Sequence, residues 1–560
     1  MLHAGKERIS TVRRRCALDK TKPRAQLPRA NGHDYSGMEH SFENLVLEGG
    51  GAKGVAYIGA AKILDEAGIL PNIKRFAGTS AGAITATWLA IGMKAEDILE
   101  EVSLKNLMDL LDAPVSKGWL GYLKWIPHIP GVPSWLTVDS ISMALTIATE
   151  KGACEGEEFL DWFGDVLERH LARLYPSKKG LDKDITFDKL YHALGVELCI
   201  VAYNMVLGNE NYFHVKTTPM MKIKEAVRMS MSIPVVFKPC ELSSFPSTFV
   251  DGAMAANYPL WAFDGWYLSM KKEDTFHKRL KMNEGQTVRR MFHPEYRRER
   301  FGTRNDKTLG IALFSSDDRE MYQERYDERH RKLAEMKSDH EFFKETEEVT
   351  ELHKSYKEKM AEREKAQNLS KKTLEQLFGE DIKEMIERVE GVNPPPIPEM
   401  DMSARGGFSP IPRLERPTII STEEAKKIFF ELFSDEDIAI LDAPSKEKAF
   451  ELMMLDENGK LTTDRLWKIY DNVGPLQQAR RTYLGHRLVS TPRQYFSTMI
   501  EFVGRHSGTS EEDVHRSVAI DTGYVGTMDF DMANEDMEFL MRQAAWATIA
   551  FLEEKKGAMV

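Results

Sequence analysis

Cysteine is scarce in this chain: Cys16, Cys154, Cys199 and Cys240 are all there is in 560 residues. None shares C-x-x-C spacing with another, which excludes a disulfide framework and a thiolate metal site and makes a reducing compartment the expectation. Long hydrophobic runs are also missing. No stretch reaches 18 consecutive apolar residues, so no transmembrane span is predicted. The first 40 residues lack the apolar core of a Sec signal peptide. With Arg13, Arg14, Arg15, Pro23 and Pro28 they read as a disordered basic tail. Positive charge is not in excess either: 76 Lys and Arg stand against 87 Asp and Glu, a net −11. That balance argues against bulk nucleic-acid binding. Asp456-Glu457-Asn458-Gly459 has its glycine at the fourth position of a would-be calcium loop and Trp467 at the twelfth, so it reads as a turn. No cofactor and no metal is expected, and the chain is placed in the cytoplasm or at a membrane periphery.

What the chain does have is glycine in a telling place. Leu45, Val46 and Leu47 form a short apolar run that stops at Gly49-Gly50-Gly51, as a buried strand entering a tight turn does. From Val55 the apolar spacing turns helical, closed by Gly68. A second run, Ile73 to Ala77, leads into Gly78-Thr79-Ser80-Ala81-Gly82, followed by a helix-compatible stretch from Ala83 to Met93. Gly49-x-Gly51-x-x-Gly54 matches the dinucleotide fingerprint in letters, but the second strand ends in Gly78-Thr79-Ser80 and supplies no acid for a ribose. A phosphate loop needs Ser or Thr after its lysine, and Lys53 is followed by Gly54. The reading that uses every glycine is a nucleophile elbow at Ser80, flanked by Gly78 and Gly82, beside an oxyanion hole built from amides of Gly49, Gly50, Gly51 and Ala52.

GGGAKG followed by GTSAG resembles the opening of the patatin-like phospholipases, and the resemblance continues downstream. Ala226 to Pro239 (AVRMSMSIPVVFKP) is similar to the helix and turn before that family's catalytic aspartate. Phe249-Val250-Asp251-Gly252-Ala253 with Asn257-Tyr258-Pro259-Leu260 is similar to the aspartate motif and its sequel. The similarity is dense from about residue 44 to 265. It implies an α/β, three-layer fold around a mainly parallel sheet, and a lipid acyl hydrolase of phospholipase A or lysophospholipase type. It also implies a Ser-Asp dyad without histidine, Ser80 attacking the ester carbonyl and Asp251 as base. Lys53 then occupies the family's Arg/Lys position in a structural role, Gly54, Gly78, Gly82 and Gly252 support the motifs, and Asn257 shapes a turn.

Elsewhere, Ala95 to Leu111 and residues 155–174 read as helices. Val196 to Asn204 reads as a buried strand that Asn211 to Val215 could join, and Thr308 to Phe314 as a further strand. Between the helices, Trp119, Trp125 and Trp135 sit among Lys117, Lys124 and three prolines, a pattern suited to peripheral membrane contact through 117–136 or to a flap over the site. From Arg319 to Glu390 the composition turns to Glu, Lys and Arg with a thin apolar stripe, which predicts long solvated helices. A proline-rich linker at 391–412 and helical spacing from Ser421 to Asp471 follow. Tyr495 to Val503 reads as a helix and Val514 to Ile520 as a strand; that strand, Thr527 to Phe530 and a closing helix through Leu552 are similar to the end of many patatin-like domains, which implies that they complete the catalytic domain. The expected organisation is a tail at 1–40, a catalytic domain at 41–317 and 478–555, and a mostly helical insertion at 318–477. Acyl lipid is the expected substrate and a protein activator a candidate partner. Two alternatives stand beside this reading: a Ser-Asp-His hydrolase using His506 or His515, and a scaffold that binds partners through its inserted helices.

Overall fold

Strands that are apolar on both faces must be covered on both, and that requirement sets the architecture. The computed structural model describes residues 25–29, 33–35, 37–104, 152–242, 247–281, 297–315, 323–336, 350–369, 381–390, 421–435, 438, 443–456, 458–462, 465–470 and 511–559. The tail before residue 25, the aromatic stretch 117–136, the linker 391–412, the helix expected at Tyr495 to Val503 and His506 lie outside them.

Ten strands are described: β1 (Asn44–Leu47), β2 (Arg75–Thr79), β3 (Gly152–Cys154), β4 (Glu197–Asn204), β5 (Asn209–Phe213), β6 (Val235–Phe237), β7 (Cys240–Leu242), β8 (Ser247–Asp251), β9 (Thr308–Phe314) and β10 (Ser517–Asp521). Eight form one mixed sheet. Five of these run parallel in the order β10-β9-β1-β2-β4. β5 and β8 join β4 antiparallel, and β7 joins β8. β3 and β6 pair apart from it. β1, β2, β4, β5, β8 and β9 lie within about two residues of where the sequence placed them, β10 begins three residues after Val514, and the short strands β3, β6 and β7 were not expected.

Side-chain alternation sorts the sheet into two faces. Leu45, Leu47, Phe76, Ile200, Ile311 and Ile520 enter the large core, which they share with the helices α1 (Ala56–Glu66), α2 (Ala81–Ala90), α3 (Glu157–Leu174), α4 (Ile223–Ser230) and α5 (Asn534–Met559). Val46, Ala77, Cys199 and Val201 point the other way, onto Tyr258, Leu260, Phe263 and Phe301. Each large aliphatic side chain so buried stabilises the fold by about 1.5–3 kcal/mol. Among the described residues no helix is long and apolar enough to cross a membrane.

The chain from Ala25 onward is not the free tail its composition suggests. Ala25, Tyr35 and Met38 are buried in the large core, His33 pairs with Glu553 at 2.6 Å, and Phe42 packs on Phe551. Sparse apolar residues among basic ones hid this, because each anchors singly rather than at a helical or strand period.

The chain divides into two compact units, residues 1–353 with 489–560, and residues 354–488. The helix Gln323–Met336, charged enough to look like the start of an insertion, belongs to the first unit. Its Leu333 is buried in the large core, and Arg329 donates to the Ser517 carbonyl at 3.0 Å. The second unit is more than solvated helix. Ile382, Ile386, Phe429, Phe433, Phe450 and Trp467 form an apolar core of its own. Within it the Asp456 carboxylate accepts the amides of Asn458 and Lys460, the bonding of a turn.

Candidate active site

β2 ends at Thr79 and α2 begins at Ala81, so the chain must reverse at Ser80 alone. Ser80 does so at φ 52°, ψ −124°, and it is the only non-glycine with positive φ among the described residues. Such a backbone costs about 1–3 kcal/mol and persists only where its surroundings over-determine it. The surroundings do. A Cβ on Gly78 would strike the backbone of Gly82, and one on Gly82 would strike the carbonyls of Leu47 and Glu48. The Ser80 amide donates to the Ser230 hydroxyl at 2.9 Å, and that hydroxyl donates to the Val201 carbonyl at 2.5 Å. The Thr79 hydroxyl reaches the Ala256 carbonyl at 2.8 Å. If strain is stored here, Ser80→Gly should be more stable than Ser80→Ala by about 1 kcal/mol, since both lack the hydroxyl but only glycine tolerates this backbone. Equal denaturation midpoints for the two would show that the turn is relaxed.

The partner of Ser80 is fixed by strand register. A strand has two hydrogen-bonding edges, and β4 has three partners. β5 pairs with Ile200 to Asn204, so β2, paired with Glu197 to Val201, must lie on the opposite edge. β8, paired with Ala202 to Asn204, must lie on that same opposite edge. β2 and β8 therefore run head-on along one edge of β4. Thr79 sits opposite Val201 and Asp251 opposite the next residue, Ala202. The serine and the aspartate meet where two strand ends collide.

Asp251 is 2 % exposed. Its Oδ1 accepts the Ala253 amide at 2.8 Å, while Oδ2 is buried and closes no hydrogen bond among the described residues. Burial pushes the carboxyl from 3.8 up to about 7, against the opposing pull of the Ala253 amide and of the Ser80 hydroxyl. The hydroxyl thus lies near enough to favour the carboxylate without closing a bond to Oδ2. Loose geometry of this kind is common before substrate binds. An aspartate with an ordinary pKa would be a feeble base, and the burial of Asp251 removes that objection.

The amides expected to hold an oxyanion do not all remain available. That of Gly49 donates to the Asn257 carbonyl at 2.9 Å and that of Ala52 to the Thr527 carbonyl at 2.9 Å. Gly49 and Ala52 are therefore corrected to supports of the loop, while the amides of Gly50 and Gly51 donate to no carbonyl among the described residues. Gly51 has φ 54°, and a Cβ there would strike the Thr527 carbonyl. Asn257 does more than shape a turn: its Nδ2 donates to the Glu48 carboxylate at 3.0 Å and to the Gly49 carbonyl at 3.1 Å. Glu48 in turn accepts the Leu313 amide at 2.8 Å. Lys53 is 4 % exposed, which suits a structural role.

Sequence reasoning missed several supports. Ser230 holds the Ser80 amide, and the Ser232 carbonyl holds the Asp251 amide at 2.9 Å. Arg228, buried one helical turn before Ser232, donates to the Ser232 hydroxyl at 2.5 Å. The Ser-x-Ser spacing was the available signal: Ser230 closes α4 and Ser232 follows its C-terminal turn, so the two serines reach both strand ends. No histidine bonds to Ser80 or Asp251 among the described residues. His515 precedes Ser517, the first residue of a strand parallel to β2, and so lies at the end of the sheet opposite Ser80.

Residues 45–264 match the family model described as patatin-like phospholipase. The protein YqhO of Bacillus subtilis is 31 % identical over 224 residues, covering 39 % of this chain and 65 % of YqhO. A probable lipid hydrolase, 463L of Invertebrate iridescent virus 6, is 25 % identical over 230 residues, covering 41 % of this chain and 66 % of that protein. The chain thus spans a little under two thirds of the length of these relatives. Among solved structures, VipD from Legionella pneumophila aligns over 92 % of this chain and 67 % of its own, at 14 % identity and a TM-score of 0.36. The motifs and the family match coincide on one stretch, to which β9 and β10 add strands from further along the chain: the chain carries a patatin-like phospholipase domain over residues 45–264.

Proposed function

We propose that this protein is a serine-dependent acyl-lipid hydrolase of phospholipase A or lysophospholipase type, with Ser80 as nucleophile and Asp251 as base. The observation that carries the reading is the head-on meeting of β2 and β8, which sets a strained serine beside a buried aspartate whose pKa is about 7. Ser80 Oγ attacks the ester carbonyl carbon as its proton passes to Asp251 Oδ2, the oxygen with no other bond to break. The amides of Gly50 and Gly51 receive the oxyanion, helped by the positive end of α2. Collapse expels the alkoxide, which takes the proton from Asp251 and leaves acyl-Ser80. Water then attacks the acyl carbon, giving a proton to Asp251. The second collapse releases the fatty acid and returns that proton to Ser80. An ester suits this dyad better than an amide, because an alkoxide leaves more readily than an amine.

A fluorophosphonate probe tests the reading directly. Wild-type protein should label at Ser80, and the labelling rate should fall about tenfold per pH unit below about pH 7 as Asp251 becomes protonated. A rate that stays flat from pH 5 to 9 would remove Asp251 as the base. Failure to label at all would leave the scaffold reading in its place.

A further inference from the structure

We propose that the tip of the β4–β5 hairpin, Met205-Val206-Leu207, enters the apolar edge of a lipid surface and holds the active-site end of the sheet against it. Large apolar side chains that are exposed singly are ordinary, whereas contiguous ones mark an interaction surface. Here three successive residues are 55 %, 58 % and 66 % exposed. Met220 is more exposed at 75 %, but it follows β5 beyond the opposite end of the hairpin and has only the small ring of Pro219 exposed beside it.

Position is the second ground. β4 carries the rung to Asp251 at Ala202 and continues past it to Asn204. The tip therefore begins three residues beyond the base, about 10 Å further along the strand direction. It stands on the side of the sheet from which an ester must arrive.

The third ground is how the tip's backbone is satisfied. Unpaired amides are expensive away from water, so a loop that enters lipid must bond its own. Four successive amides do so. That of Met205 donates to the Thr248 carbonyl at 2.9 Å, those of Val206 and Leu207 to the Asn204 side-chain oxygen at 3.0 Å each, and that of Gly208 to the Asn204 carbonyl at 2.8 Å. Asn204 itself is 2 % exposed. The tip is an apolar wedge whose four amides are bonded internally and need no water. No charged residue occurs from Leu198 to Asn209, and the nearest, Glu210, is buried against Arg300. The attraction is thus to the apolar interior and not to anionic head groups.

This inference rests on the acyl-lipid reading of the site, and its test is separated from it by using the full chain with Ser80→Ala, which binds without hydrolysis. Partition to vesicles of pure phosphatidylcholine is measured by sedimentation. The triple variant Met205→Ser, Val206→Ser, Leu207→Ser and the single variant Leu207→Asp should each bind more weakly by about tenfold, whereas Met220→Ser should bind as its parent does. Raising salt should not weaken the parent's binding. In a Ser80 background, the same tip variants should hydrolyse a soluble short-chain ester at the unaltered rate. Undiminished vesicle binding by both tip variants overturns the proposal, as does a parent that ignores neutral vesicles. A concentration-dependent dimer that the tip variants abolish, with vesicle binding intact, would assign the wedge to a second copy of this chain. Absence of ester hydrolysis in the Ser80 protein would instead count against the acyl-hydrolase reading and leave the binding result standing.

Discussion

Ser80→Ala should lower ester hydrolysis by at least about 10⁴-fold, and Asp251→Asn by a comparable factor, with both proteins folded. The two variants ought to differ in stability, which separates a base from a mere prop. A folded-state pKa raised from 3.8 to about 7 means that native Asp251 holds its proton where the unfolded chain has lost it. Stability from this group is full below about pH 4 and declines as pH rises to about 7, by an amount on the order of 4 kcal/mol when fully expressed. The asparagine side chain in Asp251→Asn carries no charge to bury, and its oxygen can still accept the Ala253 amide. That variant should therefore match wild type near pH 4 and become progressively more stable than it up to about pH 7, while inactive throughout. Ser80→Ala should track wild type across that range. A stability gap between Asp251→Asn and wild type that does not change with pH would mean the carboxylate is hydrated, and the proposed base would lose its physical ground.

Gly51→Ala is expected to lower kcat by at least about 10²-fold, and Gly50→Ala by clearly less. At Gly51 the left-handed backbone is strained for any other residue, and the new Cβ meets the Thr527 carbonyl, a backbone atom already engaged by Ala52. The loop must move, and both amides move with it. At Gly50 the new Cβ meets Leu313 Cδ1 at 2.6 Å, the far end of a side chain that can turn away. KM should change less than kcat, because an oxyanion exists only in the transition state. If Gly50→Ala is the more damaging of the two, the hole has been built on the wrong geometry.

The elbow was legible in sequence because its glycines bracket one serine: Gly78 is required by backbone contact with Gly82 four residues on, and Gly82 by the carbonyls of Leu47 and Glu48 at the end of the preceding strand, β1. The parallel strands were legible because burial on both faces leaves unbroken apolar runs such as Leu45 to Leu47. The meeting of β2 with β8 was not, because it depends on which edge of β4 each strand takes, and no residue in either strand encodes an edge. Likewise Gly49 and Ala52 look as available as Gly50 and Gly51 until carbonyls more than 200 residues away, at Asn257 and Thr527, claim their amides. The raised pKa of Asp251 comes from burial, which a motif match does not report. The core of the second unit escaped notice because each helical segment contributes only a few apolar residues to it.

The bond from Ala52 to Thr527 has a consequence for the chain as it leaves the ribosome. The strained serine, the aspartate and Ser230 are all made within the first 260 residues, and β9 follows by residue 314. The carbonyl that pins the glycine loop comes roughly 200 residues later, on the order of 10–40 s at about 5–20 residues per second. Through that interval β9 has an unpaired edge, because β10 does not yet exist. Until Thr527 has emerged, the glycine loop lacks the carbonyl that pins the Ala52 amide, so on the proposed reading the oxyanion site is the last part of the catalytic machinery to be fastened.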